Sequence, residues 1–288
     1  MDVLSSKTEP ALDNLQSNSS PQSSCGQYDS NYGNFQHAVY EEIRREAFGE
    51  DIGQNSWLTA DEQDKFISWL HLSANRKLLD VACGAGGPAL RICKNTGCAV
   101  VGLDIHEQAV ATARVLADRR GLSNLAAFEV VNASSRLPFD DSTFDAITCI
   151  DAINHLPDRP SVMAEWARLL KPGGRLLFTD PVIVTGPLTN EEIRIRCSTG
   201  VYLFVPHGYD ESLLLKNGLH PLTMENVTQN IAAVARKRFT ARASRSSQLQ
   251  AIEGDAAFHL QQEFLAIAAR LSEEGRLSRF MHVAEKPR

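Results

Sequence analysis

The sequence predicts an α/β fold built on a mostly parallel sheet with helices on both faces, and three observations carry that expectation. Between residues 77 and 179, short apolar runs of strand length alternate with longer stretches of helical periodicity. A glycine-rich loop joins the first run to the first of these helices, and an acidic residue closes the second run. Strands that alternate with helices pair in parallel, because the intervening helix returns the chain to the starting edge of the sheet.

The elements follow in order. Residues 1 to 27 are rich in Ser, Asn, Gln, Pro and Asp, too poor in large apolar side chains to offset the entropy of ordering, and are expected to form a disordered tail. The stretch from His37 to Phe48 reads as a helix outside the main core. Thr59-Ala-Asp-Glu62 has the spacing of a capping box and opens a helix ending near Leu72. Strands are predicted at Lys77 to Ala82, Ala99 to Asp104, Ala126 to Val131, Phe144 to Ile150 and Arg175 to Thr179. Helices are expected between them at Gly87 to Asn95, His106 to Arg120 and Ser161 to Leu170. Lys171-Pro-Gly-Gly174 suits a type II turn, with Pro supplying a fixed φ and Gly a positive one. Beyond Pro181 the pattern gives helical pieces at Glu191 to Cys197 and Asp210 to Asn217, and a strand at Leu222 to Val227. A long helical stretch from Ile231 to Glu274 and a last strand at Leu277 to Glu285 make seven strands in all.

Bulk properties narrow the function. The chain has 288 residues, enough for one α/β core with a cap, and a formal net charge of −6. A polyanion partner needs clustered Lys and Arg to neutralise phosphates, so nucleic acid is disfavoured. No apolar run approaches the ~20 residues of a membrane span, and no leader pattern opens the chain, so a cytoplasmic location is expected. The six cysteines lack CxxC pairs, which argues for reduced packing thiols and against a metal site.

Chemistry concentrates in Asp80-Val-Ala-Cys-Gly84-Ala-Gly86-Gly87, which leaves a strand and opens a helix whose N–H groups face a ligand. Gly84-x-Gly86-x-x-Ala89 also satisfies a dinucleotide fingerprint, and Asp104 ends the second strand where an acid binds ribose hydroxyls. By themselves these residues leave a nicotinamide enzyme open.

Four segments together, Leu79 to Gly87, Gly102-Leu-Asp104, Leu137 to Asp145 and Leu170-Lys-Pro-Gly-Gly174, resemble class I S-adenosylmethionine-dependent methyltransferases in order and spacing over roughly residues 77 to 181. The resemblance implies a Rossmann-like core, S-adenosyl-L-methionine as cofactor and a division into a lid segment at 28–58 and a methyltransferase domain at 59–288, with a substrate cap within about 182–275. It implies that Asp80 holds the methionine amino group, that Gly84 and Gly86 pass beneath the methionine moiety, and that Asp104 takes the ribose hydroxyls. Asn132 and Ala133 would meet adenine, Asn132 standing where many relatives have Asp, and Asp151 would face the methionine part.

After the fourth strand the chain carries Asp151-Ala-Ile-Asn-His155 in place of an Asn/Asp-Pro-Pro-Tyr motif, which disfavours nucleobase and protein-glutamine acceptors. This stretch resembles small-molecule methyltransferases of the sarcosine/dimethylglycine and phosphoethanolamine type and their ubiquinone and sterol relatives. By that resemblance His155 is the candidate base, with an ordinary imidazole pKa near ~6.5, and Tyr32 its partner in a lid and dyad. Ser56 falls near the cofactor carboxylate. Tyr202, His207 and Tyr209 are candidate substrate contacts. The basic residues Arg236, Lys237, Arg238, Arg242 and Arg245 read as a solvated helix face, and Gly200 stands where the phosphoethanolamine group would supply an arginine. The expected function is methylation of a small molecule, most simply at an amine nitrogen, by a monomer or homodimer; O- or C-methylation and a non-catalytic cofactor-binding role are the alternatives.

Overall fold

A computed structural model describes Tyr28 and residues 32–288; the expected tail and Cys25 lie outside the described residues. The described elements run α1 (Ala38–Phe48), α2 (Ala60–Leu70), β1 (Lys77–Val81), α3 (Gly87–Thr96), β2 (Ala99–Asp104), α4 (Glu107–Arg119), β3 (Ala126–Val130), β4 (Phe144–Ile150), α5 (Arg159–Leu169), β5 (Leu170–Val184), α6 (Asn190–Arg196), β6 (Val205–Pro206), α7 (Tyr209–Lys216), β7 (His220–Asn226), α8 (Thr228–Ala243), α9 (Ser246–Glu253), α10 (Asp255–Glu273) and β8 (Leu277–Glu285).

The sheet has the order β3-β2-β1-β4-β5-β8-β7, with β6 paired to β5 off that path. The seven expected strands form the path; the two-residue β6 is the eighth, too short to leave a periodic signal in sequence. β1 to β5 are parallel, while β8 runs antiparallel to both β5 and β7. Because β1 lies between β2 and β4, the chain reverses its direction of winding there, and the carboxyl ends of β1, β2 and β4 open onto a crevice. β1 and β4 are buried on both faces, as continuous apolar runs require, whereas β7 is an edge strand with most of its residues exposed.

Local chemistry explains the departures from the sequence pattern. β5 starts at Leu170, not Arg175: Leu170 pairs with Phe144 and Arg175 with Ala146, so Lys171 to Gly174 bulge out of the strand, with Gly173 at φ +75°. The expected capping box at Thr59 is half made. Thr59 Oγ1 accepts from Glu62 N, but the Glu62 carboxylate turns away to Arg279. Both bonds of such a box form instead at Thr189 and Glu192. The helical stretch from 231 to 274 is three helices, broken at Ser244-Arg245 and at Gly254. Leu213, Leu214 and Leu219, in and after α7, pack into the same core as Trp166 and Phe178, so α7 and β7 complete the sheet layers and do not belong to a cap. α1, α8 and α10 pack on one another through Ala47, Ile231 and Phe264, with Trp57 from the segment before α2. No described helix is long and apolar enough to cross a membrane.

Candidate active site

The loop after β1 is shaped by backbone that only a few residues adopt. Ala82, Gly84 and Gly86 have φ of +56°, +55° and +74°, and Gly86 is the N-cap of α3. A Cβ on Gly84 would stand 2.8 Å from the Tyr32 hydroxyl, so side chain and tyrosine compete for one space. From β2, Asp104 Oδ2 accepts from Gly84 N at 2.8 Å and Oδ1 from His106 N at 2.9 Å. A carboxylate has about four lone-pair sites, so Asp104 fixes the glycine loop and starts α4 while keeping acceptors for a ligand.

Ala82, Gly84 and Asp104 line a cavity of about 280 Å³ at the carboxyl edge of the sheet, whereas Gly86, expected beneath the methionine moiety, packs against Ala113 and Phe128 and does not line it. Asp80 lies at its floor, 6% exposed, and among the described residues only Thr148 Oγ1, at 2.7 Å, hydrogen bonds its carboxylate. Burial, with the charge of Asp104 nearby, pushes the Asp80 carboxyl up to about 7. Such a group is completed by a cation. Ile105, Val131 and Leu156 give the cavity apolar walls, with Asn132 and Ala133 beside them. Asn132 Oδ1 already accepts from Ser134 N at 2.9 Å, so the carbonyl expected at an adenine edge shares its lone pairs with the backbone. An S-adenosylmethionine molecule fits these groups: Asp80 for its ammonium, Asp104 for its diol, the apolar walls for its base.

A pH dependence follows. The Asp80 pKa lies above the ordinary ~3.9, so the unliganded fold gains stability from this proton below about 4 and loses it as pH rises to about 7. A bound ammonium reverses the preference. S-adenosylhomocysteine affinity, measured calorimetrically, is expected to fall by roughly tenfold per pH unit below about 7; a flat profile from pH 8 to 5.5 would show that Asp80 does not meet the ammonium.

The opposite wall follows β4. Asp151 has φ +55°, and a 3-10 turn, Ile153–His155, presents the imidazole. His155 Nδ1 lies 2.7 Å from the Val201 carbonyl and must donate to it, which leaves Nε2 an acceptor. The Tyr28 hydroxyl, 3.2 Å from Nε2, donates there. The dyad is therefore Tyr28 with His155, and the expectation of Tyr32 is corrected. Tyr32, four residues on, is buried over Gly84 and against His106 and Phe35. Lost solvation, with Arg196 and Arg159 nearby, drives His155 down to about 4, not the ordinary value expected from sequence. Burial also raises the Tyr28 hydroxyl well above its usual range. The pair is neutral throughout the physiological range.

Asp151 lines the cavity, but its oxygens are taken by Trp57 N at 2.8 Å, Thr179 Oγ1 at 2.8 Å and Arg279 Nε at 2.6 Å. These three bonds tie the segment before α2 to the sheet and leave the carboxylate expected to face the methionine part at most one acceptor site toward the cavity. Ser56 accepts from Leu58 N at 3.3 Å and lines both this cavity and a smaller adjoining one of about 50 Å³. Tyr202 lines the smaller cavity, 3.4 Å from the Tyr28 hydroxyl and 3.0 Å from Thr199. His207 and Tyr209 do not reach either cavity. β6 zips onto β5 and carries them away, so that His207 is exposed against Phe280 and Tyr209 packs beside Ile183 and Val205. Sequence reasoning missed Tyr28, Arg196 and Arg279 and assigned Arg238 to a solvated face. Tyr28 had a signal in the tyrosine-bearing stretch it begins, and Arg238 one in the basic run that carries it.

Comparison with known proteins agrees with this geometry. Residues 79–178 match the methyltransferase domain family model. The chain is 30% identical over 203 residues to the 27-O-demethylrifamycin SV methyltransferase of Amycolatopsis mediterranei, covering 66% of this chain and 74% of that one. It is 34% identical over 133 residues to phosphoethanolamine N-methyltransferase 3 of Arabidopsis thaliana, 46% of this chain but 26% of that longer protein. The structure superposes on the cyclopropane synthase MmaA2 of Mycobacterium tuberculosis with a TM-score of 0.78 at 18% identity, covering 90% of this chain and 97% of that one, a likeness of fold. By these matches the chain belongs to the class I S-adenosylmethionine-dependent methyltransferases and is an enzyme acting on small molecules.

Proposed function

We propose that this enzyme methylates the nitrogen of a compact amine seated in the smaller cavity beside Tyr28 and His155. One observation carries the reading: the only imidazole at the junction of the two cavities, among the described residues, is held neutral down to about 4. The cofactor, when bound, supplies a methyl group on a sulfonium. Asp80 holds its ammonium, Asp104 its ribose, and Gly84 lets it approach the backbone, while Asn132 and Ala133 edge its base and Tyr32 covers the glycine loop.

A hydroxyl or phenol acceptor must lose its proton as it attacks, which asks for a base whose pKa lies near the working pH. His155 is too weak for that. A free amine already carries its lone pair, and the ammonium formed gives up its proton to water afterwards. What the site then has to do is orient the nitrogen and exclude solvent. The Tyr28 and Tyr202 hydroxyls and Ser56 provide the orienting acceptors and donors, with Nε2 of His155 holding the Tyr28 hydroxyl in place. The rings of Trp57, Tyr202 and Phe264 face a nitrogen that gains positive charge, an arrangement worth about 0.5–2 kcal/mol per good cation–π contact. The small size of the cavity supports a compact acceptor.

The test is S-adenosylhomocysteine release, scored by mass spectrometry, on matched pairs of compact amines and the corresponding alcohols and phenols. Turnover on the amines is the expected result; turnover confined to hydroxyl acceptors would sink the proposal. Tyr28→Phe is expected to lower kcat by about tenfold, the worth of one orienting hydrogen bond of ~1 kcal/mol and some lost alignment. Its affinity for S-adenosylhomocysteine should stay within about twofold, and a large loss of that affinity would move Tyr28 from the acceptor to the cofactor.

A further inference from the structure

Among the described residues, the buried arginines are compensated, with one exception. Arg159 meets Asp180 and Asp210, Arg242 meets Glu253, and Arg279 meets Asp151 and Glu62. Arg196, 2% exposed at the end of α6, meets no carboxylate among the described residues, and its Nη1 has no hydrogen-bond partner among them. Its guanidinium lies over the rings of Phe264 and Tyr202, 4.6 and 5.3 Å from their centroids, and both rings line the smaller cavity. Burying a cation without a counter-charge costs several kcal/mol, so an uncompensated one beside a cavity points to a charge that arrives with a ligand.

A second arginine lines the same cavity. Within the basic run of α8 and the break after it the side chains divide by direction. Arg236 pairs with Glu273 on the surface, Arg242 with Glu253, and Arg245 with Glu42 and Glu46. Arg238 instead turns inward over Trp57, 5.7 Å from the ring, and makes no ion pair among the described residues. The run that reads in sequence as a solvated face therefore contributes one arginine to the cavity. The one carboxylate there, Asp151, has its oxygens committed to Arg279, Thr179 and Trp57 N. Thr199 and Tyr202 add hydroxyls, and Gln261 leaves Oε1 unpartnered.

We infer that the smaller cavity binds an oxyanion of the acceptor, a carboxylate or a phosphate, held by Arg238 with Arg196 behind the Tyr202 ring as a second positive charge. This rests on the reading of that cavity as the acceptor pocket, and makes the acceptor an amine with an anionic end. The absence of an arginine at Gly200 does not count against it, since the charges come from α6 and α8. Burial also lowers both guanidinium pKa values, Arg238 to about 10.

The experiment is calorimetric titration of the protein saturated with S-adenosylhomocysteine, using three amines on one two-carbon spacer: β-alanine, O-phosphoethanolamine and ethanolamine. Sodium acetate and inorganic phosphate serve as bare anions. At least one anionic amine is expected to bind tenfold or more tighter than ethanolamine, with weakening as ionic strength rises. Arg238→Gln should remove that preference and Arg238→Lys retain part of it. The arm that binds, carboxylate or phosphate, identifies the source of the oxyanion. Equal binding of all three amines would overturn the inference, as would a preference that survives in Arg238→Gln. Arg196→Gln is a second probe; Arg238→Gln decides the matter if that variant does not fold. Anion binding without nitrogen methylation would leave this inference standing and sink the amine reading, whereas turnover of ethanolamine with no anionic preference would do the reverse.

Discussion

Arg279→Ala is expected to destabilise the fold by about 3–5 kcal/mol, because it leaves two carboxylates buried without their counter-charge. Arg279 is fully buried on β8, with Nε 2.6 Å from Asp151 and Nη1 2.6 Å from Glu62. Asp151 in turn holds the backbone of Trp57, so the same cation ties α2, the segment before it and the carboxyl end of β4 together. Thermal or denaturant unfolding checks the prediction. The loss should be larger at pH 8 than at pH 5.5, since the stranded carboxylates can protonate only at the lower pH, and Glu62→Gln in the Arg279→Ala background should recover part of it. A loss under about 1 kcal/mol would mean that water reaches the cluster.

The second large effect is expected at the cofactor. Asp104→Ala should weaken S-adenosylhomocysteine binding by a hundredfold or more, since hydrogen bonds to a charged acceptor contribute about 1.5–3 kcal/mol each and two hydroxyls would lose theirs. The variant also strands Gly84 N and His106 N, at a cost of about 1–2 kcal/mol in stability. Asp104→Asn separates the two roles, because its amide oxygen can still accept from one of these groups but its amino group cannot. Calorimetry and unfolding together check it. Retained affinity in both variants would leave Asp104 as a cap alone.

The parts of this protein legible in sequence are those set by contiguous residues. β2 and β4 run where their apolar stretches do, and the β1 loop follows from its glycines, because a parallel strand buried on both faces and a positive φ each leave a local signature. The rest depends on partners far along the chain. Glu62 leaves its capping box for an arginine 217 residues away, and Asp151 gives up an acceptor site to the same residue. The weak basicity of His155 comes from its burial, with Arg196 and Arg159 nearby, and its tautomer from Val201, none of them adjacent to it in sequence. Tyr28 and Tyr32 could not be told apart by composition, and β6, two residues long, gave no warning that His207 and Tyr209 leave the site. Arg238 differs from Arg236 only in which face of α8 it occupies, which periodicity in a weakly amphipathic helix does not specify.

The most direct test of the account is the pH dependence of kcat/KM for an amine acceptor at saturating cofactor. If the site orients an amine that is already deprotonated, the rate rises with unit slope up to the ammonium pKa of the acceptor, and the break moves when an amine of different pKa replaces it. A break that stays at one pH for all acceptors, and disappears in His155→Ala, would contradict the account and restore His155 as the base.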